Sequence, residues 1–209
     1  YHFGEGVVQN YRKSEQWFRK AAEQGVLDAQ YNLGFMYRNG DVVLQDFREA
    51  MKWYCKAAEQ GHVNAQFNLS LMYTDGEGVP QNYEEAANWC SKAAEQGNAG
   101  AQHNLALKYC EGEGVLKDYG IAIDWFRLAA EQGHPDAQAS LGVMYEDGLG
   151  VESNILVSHM WSNIAATNGS EVAVSNRDTS EKDMTSVQVA EAQRLALECV
   201  KNNYVGCRR

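Results

Sequence analysis

The sequence predicts an all-α fold, a solenoid of repeated helix–turn–helix units. Three observations carry this expectation. The hexapeptide KAAEQG closes three stretches, at Lys20–Gly25, Lys56–Gly61 and Lys92–Gly97, with LAAEQG ending at Gly133 and IAATNG at Gly169, a spacing of 36 residues. All five tryptophans (Trp17, Trp53, Trp89, Trp125 and Trp161) fall in one column of that repeat. Within a unit, Tyr83, Ala86, Ala87, Cys90, Ala93 and Ala94 recur at the spacing of a single helical face. Self-similarity at such a period marks stacked helical units, each burying its apolar face on its neighbours.

Cutting after each glycine gives a partial unit, Tyr1–Gly25, and four full units: Val26–Gly61, His62–Gly97, Asn98–Gly133 and His134–Gly169. The array is thus residues 1–169, followed by a closing segment, residues 170–209. The first helix of each unit is expected to be the shorter. It starts near Asp28, Asn64 or Asp136 and ends at the tyrosine column of Tyr37, Tyr73, Tyr109 and Tyr145, a column that also holds Tyr1. Gly100 weakens that cap in one unit. Leu33, Leu69, Leu105 and Leu141 form its apolar column, beside a small column of Gly34, Ser70, Ala106 and Gly142 that lets helices approach closely.

A loop follows, written DGEGV at Asp75–Val79, EGEGV at Glu111–Val115 and DGLGV at Asp147–Val151. Its paired glycines call for positive φ. Val42 replaces the second glycine in Val26–Gly61, so that loop is expected to be distorted. The second helix starts at an N-cap column of Asn10, Asp46, Asn82, Asp118 and Asn154. Asp46 with Glu49, and Asn82 with Glu85, have the spacing of a capping box. Each second helix ends at the glycine of the hexapeptide, a residue free to turn left-handed.

In the closing segment, Ser170–Lys182 reads as a degenerate helix. Met184–Val200 reads as a final helix, with Thr185 and Gln188 as a capping box and Val189, Ala192, Ala196 and Cys199 as its apolar stripe.

Composition narrows the function. The 209 residues carry a net charge of −10 with 44% apolar residues. Such acidity argues against nucleic acid and against an anionic membrane surface. No apolar run reaches the length of a bilayer span, so no membrane insertion is expected. Tyr1–Ser14 has neither the basic nor the apolar region of a signal peptide. The register places Tyr1 at the end of a helix, so residues upstream of Tyr1 are expected. Five cysteines, none repeating its column, suggest isolated thiols, with Cys199–Cys207 as a possible bridge.

The pattern A-Q-x-N-L-G-x-M-Y-x-x-G-x-G-V, continuing to W…K-A-A-E-Q-G, resembles the Sel1-like repeat family, a relative of tetratricopeptide repeats. The closing MTSVQVAEAQRLALECV is similar to the final helix of bacterial members. The resemblance implies a right-handed α-α superhelix and an adaptor role, and it favours a periplasmic or secreted protein over a cytoplasmic one. One branch of the family links the two helices of each repeat by a disulfide, and the scattered cysteines here depart from it.

The sites follow from weighing chemistry against framework. Asp75–Gly78 is too short for an EF-hand loop. The glycine pairs lack the third glycine and preceding strand of a dinucleotide fold. Among His2, His62, His103, His134 and His159 no pair has zinc spacing. His62 and His134 share an inter-repeat column and read as surface residues. The expectation is a non-enzymatic scaffold without metal or cofactor.

In related helix-pair solenoids the first helix lines a concave groove. Its candidate face reads Tyr31, Phe35, Arg38; then Phe67, Leu71, Thr74; then His103, Leu107, Cys110; then Ala139, Val143, Glu146. Beside it runs a polar ladder of Asn32, Asn68 and Asn104, ending at Ser140, which would either bond a bound peptide or tie neighbouring repeats. The groove is expected to be richest at Tyr31, Phe35, Phe67 and Leu71, and to take a peptide or helix of a protein partner.

Three alternatives stay open. A folded partner would instead use a convex or loop surface, involving Glu84, Glu85 and Lys92. An enzyme would need a site joining Cys110 with His103. Self-association would use the open N-terminal end.

Overall fold

Glycines that accept positive φ set the register of the fold. The computed structural model describes residues 11–40 and 43–207. The regular elements among them are all helical, and the fold class is a solenoid of repeated helix pairs. The chain divides into two compact units, at Gln96/Gly97. The first holds α1 (Tyr11–Glu23), α2 (Leu27–Asn39), α3 (Phe47–Glu59), α4 (Val63–Asp75) and α5 (Tyr83–Glu95). The second holds α6 (Ala99–Glu111), α7 (Tyr119–Glu131), α8 (Pro135–Asp147), α9 (Ile155–Thr167), α10 (Glu171–Ser180), a 3-10 turn (Glu181–Asp183) and α11 (Ser186–Lys201). Asn10, Asp41 and Val42, and with them the expected loop distortion, lie outside the described residues, as do Tyr1 and His2.

The helix ends come from the expected chemistry, with three corrections. Asp46, Asn82, Asp118 and Asn154 cap α3, α5, α7 and α9 through their side-chain oxygens. At the other end of α3, Gly61 turns to φ 92°. Its N–H bonds the Ala58 carbonyl at 2.9 Å while the His62 N–H bonds Ala57 at 3.0 Å. This is a Schellman closure.

The first correction concerns α2, α4, α6 and α8. These helices are as long as their partners, 13 residues each. They start just after the Schellman turn, one residue before the positions expected from Asp28, Asn64 and Asp136. They also end two residues beyond the tyrosine column, at glycines in left-handed conformation.

The second concerns His62 and His134. They are half-buried rather than surface residues, and they are N-caps: their Nδ1 atoms accept from the Ala65 N–H at 3.1 Å and the Ala137 N–H at 3.3 Å. Asn98 does the same in its column, accepting from Ala101 at 2.8 Å. The third correction is to both second-helix capping boxes. The Asp46 and Asn82 N–H groups that Glu49 and Glu85 would have served instead donate to the Tyr37 and Tyr73 carbonyls, each at 2.9 Å, because the loop folds back on the preceding helix.

The core of each unit is built from the small and aromatic columns. In the first unit Tyr54, Ala57, Ala58, Leu69 and Met72 pack together, with Trp53 against Leu33 and Met36. In the second, Phe126, Leu141, Met160, Trp161 and Ile164 form the centre, and Ala196 and Cys199 of α11 close on it. The small column is required by contact: a Cβ at Gly34 would lie 2.7 Å from the Tyr54 ring. The second loop glycine is required by approach as well as by φ, since a Cβ at Gly150 would meet the Tyr119 carbonyl at 2.4 Å.

Thr185 and Gln188 form a full capping box at the start of α11. Against the expectation of isolated thiols, Cys199 and Cys207 are joined in a disulfide, while Cys55, Cys90 and Cys110 belong to no disulfide.

Candidate functional site

In the first unit α2 and α4, joined by the Arg38–Asn68 bond, carry most of the candidate groove residues. Tyr31 is half-buried. Its ring stacks on His62 at 4.5 Å and tilts against the buried Tyr54 at 5.8 Å. Tyr31 therefore supports the cap of α4. Phe35 is 45% exposed, while Phe67 and Leu71 are half-buried. Arg38 is already engaged, with its Nε on Glu77 at 2.9 Å and Nη1 on the Asn68 oxygen at 3.2 Å. The pair closes one end of the face, where Arg38, Asn39, Gln45, Phe47 and Glu77 line a polar cleft.

In the second unit, His103 stacks on His134 at 5.0 Å and leans on Phe126 at 5.6 Å. Burial, and then the neighbouring His134, hold its pKa below the ordinary histidine value. His134 is also lowered by burial, with Asp136 opposing. Leu107 and Cys110 pack partly against the core. Burial and Glu111 push the Cys110 thiol up, opposite to what a nucleophile requires. Among the described residues no group of three or more His, Cys, Asp or Glu is placed to hold a metal ion. No described helix is long and apolar enough to cross a membrane.

The asparagine ladder is not one ladder. Asn32 donates to the Asp28 carbonyl of its own helix at 2.7 Å, and Asn68 accepts from Arg38. Asn104 meets His103 Nδ1 at 3.2 Å, and the Ser140 hydroxyl donates to Asp136 at 2.8 Å.

The uniform polar ladder is made of glutamines, which sequence reasoning missed. Gln30 and Gln66 are buried and donate to the carbonyls of Ala22 and Ala58, each at 3.1 Å. Their own oxygens accept from Gln60 at 2.7 Å and Gln96 at 2.6 Å. The second unit repeats the bond as Gln132 to Gln102 at 2.7 Å and Asn168 to Gln138 at 2.8 Å. Tyr204 ends the series, its hydroxyl accepting from Asn168 at 3.1 Å. The signal was present: one glutamine stands at the start of every first helix, and another (Asn in the last) sits before every closing glycine. The hexapeptide lysine is likewise structural, lying 4.2 Å above Trp53 as Lys56 and 4.0 Å above Trp89 as Lys92.

The Sel1 repeat family model matches residues 1–26, 27–62, 63–98, 99–134 and 135–170, boundaries one residue later than the glycine-delimited units. Among solved structures, a Sel1 repeat protein from Oxalobacter formigenes is 37% identical with TM-score 0.79, over 83% of this chain and 72% of that one. A protective antigen present in uropathogenic Escherichia coli strains, displaying an SLR fold, is 33% identical with TM-score 0.60. That alignment covers 99% of this chain and 52% of the antigen, so this chain spans about half its length. A comparison with curated proteins finds no match.

Proposed function

The chain belongs to the Sel1 repeat family, and on that premise we propose that it is a non-enzymatic adaptor holding a peptide or helical segment of a partner protein against α2 and α4. Sel1 repeat proteins are generally interaction scaffolds. The observation that supports the finer reading is a contrast between columns. The glutamine ladder, the caps and the loop glycines recur from unit to unit. The face carrying Tyr31, Phe35, Phe67 and Leu71 changes at every repeat and leaves Phe35 uncovered. Variable lining on a constant frame is how a solenoid encodes partner choice, and an exposed aromatic beside half-buried apolar groups is the usual form of a binding anchor.

Selection of peptides on the intact chain from a phage-displayed random dodecapeptide library tests this reading. Phe35→Ala and Leu71→Ala should each weaken the selected peptides by about tenfold, the order of one anchor residue, with helicity unchanged. Loss of helicity in step with loss of binding would assign both residues to the framework. Tyr31→Ala is the poorer test, since it also removes the ring stacked on His62.

A further inference from the structure

The second unit has a cleft where the candidate face of the last repeat, with Ala139 and Val143, meets the closing segment. Asp136, Ala139, Ser140, Val143 and Glu146 follow one another at i, i+3, i+4, i+7 and i+10 along α8, so they share a face. Opposite stand Ser170, the N-cap of α10, and Val172 and Asn176 on α10 itself. Between them is a cavity of about 190 Å³, lined by Asp136, Ala139, Ser140, Val143, Ser170, Val172 and Asn176. Its floor is firm, because Ala139 packs with the buried Ala165 and Ala173. Its walls are open, with Val143 37% and Val172 67% exposed.

The two ends of this apolar stretch are acidic. Asp136 stands at one, Glu146 and Asp147 at the other, about 15 Å apart along the helix axis at 1.5 Å per residue. Asp183 lies close enough to add to the effect. The Glu146 carboxyl is raised above its ordinary pKa, first by burial and then by repulsion from Asp147 and Asp183. Among the described residues, none of these four carboxylates has a lysine or arginine within ion-pair distance. The matching end of α2 is different: Arg38 stands where α8 has Glu146, and it is already paired with Glu77.

We propose that the α8–α10 cleft docks a peptide segment carrying one aliphatic side chain flanked by lysine or arginine. The aliphatic group fills the valine-walled cavity, and the flanking cations meet carboxylates that the fold leaves unpaired. Charge complementarity selects this occupant. An acidic segment would add to the repulsion already present at Glu146, and a wholly apolar one would leave both acidic ends unanswered. The assignment rests on the adaptor reading, but uses residues of the second unit rather than Tyr31, Phe35, Phe67 and Leu71 of the first.

The same dodecapeptide selection separates the two. A class of peptides with two or more Lys or Arg around a Leu, Ile or Val should appear. Its affinity, read by fluorescence anisotropy, should drop about tenfold between roughly 50 and 500 mM NaCl, as rim charge pairs are screened. Val143→Ser and the double change Glu146→Gln with Asp147→Asn should each weaken that class, with thermal unfolding unchanged, while Phe35→Ala leaves it intact. The cleft assignment is overturned if no such class is enriched, or if its peptides bind these variants as they bind the native chain. If the selected peptides respond only to Phe35→Ala, the adaptor reading stands and the cleft falls. If nothing is selected, both fall.

Discussion

At the residue scale, glutamine and asparagine have opposite roles from those their prominence suggests. Gln66 is 4% exposed and makes two bonds, one to Ala58 and one from Gln96. Gln66→Ala removes both bonds from a buried site, the Ala58 carbonyl keeping its bond from the Gly61 N–H, and should cost about 1–2 kcal/mol. Asn32→Ala removes one exposed bond within its own helix and should stay within about 0.5 kcal/mol. Urea unfolding of the two variants side by side gives the comparison, and equal midpoints would refute this division of roles. The asparagine column was legible as a column, but its bonds were not. Asn32 bonds the carbonyl four residues back and Asn104 its neighbour His103, so only the Arg38 bond to Asn68 is set by packing between repeats. The glutamine column was equally legible. It was overlooked because a buried amide is expected to be rare, and its partners are residues 8 and 30 positions away in sequence.

At the scale of the element, helix starts link stability to pH. The α8 cap needs neutral His134, because protonation turns its Nδ1 from acceptor into donor against the Ala137 N–H. His134 has a pKa below that of a free histidine, first through burial. The folded state therefore binds fewer protons than the unfolded chain. The stabilisation is fully present above the free value of about 6.5 and is lost as pH falls below it toward the folded pKa. Facing groups are His103, whose own pKa is lowered, and Asp136, which opposes the shift. His134→Asn keeps a cap of the kind Asn98 makes and removes this proton dependence. Thermal unfolding at pH 7.5 and pH 5 should show the native chain losing about 1 kcal/mol more than the variant, the ordinary worth of an N-cap. An unchanged difference would show that the cap tolerates the proton. The caps of the second helices were readable from the sequence, since Asp and Asn are strong capping residues. The histidine caps were not, because a histidine before a helix caps only where the Schellman turn happens to aim Nδ1 at the third N–H.

At the scale of the whole molecule, repetition makes the fold, and the closing segment ends it. The array ends where IAATNG replaces KAAEQG, and α11 then covers α9 of the second unit with Ala192, Ala196 and Cys199 buried. The Cys199–Cys207 disulfide ties the last turn to α11 and positions Tyr204 against Asn168. Such bridges persist in oxidising surroundings. Cys207→Ser should cost about 2–3 kcal/mol, the constraint expected of so short a loop. Hydrogen exchange should rise in residues 199–207 while α6 and α7 stay protected, and uniform loss of protection would mean the bridge supports the whole second unit. The sequence by itself determined the fold class, the 36-residue register, the second-helix caps and the closing capping box. Each of these is set by residues within a turn or two of one another, or by a column repeated along the chain. Only the tertiary structure decided that the glutamines form the ladder, that Arg38 is consumed by Glu77, that His62 and His134 are caps, and that Val143 and Val172 face one cavity. Those outcomes depend on how one repeat packs against the next, and distance in space is not written at any fixed spacing in the chain.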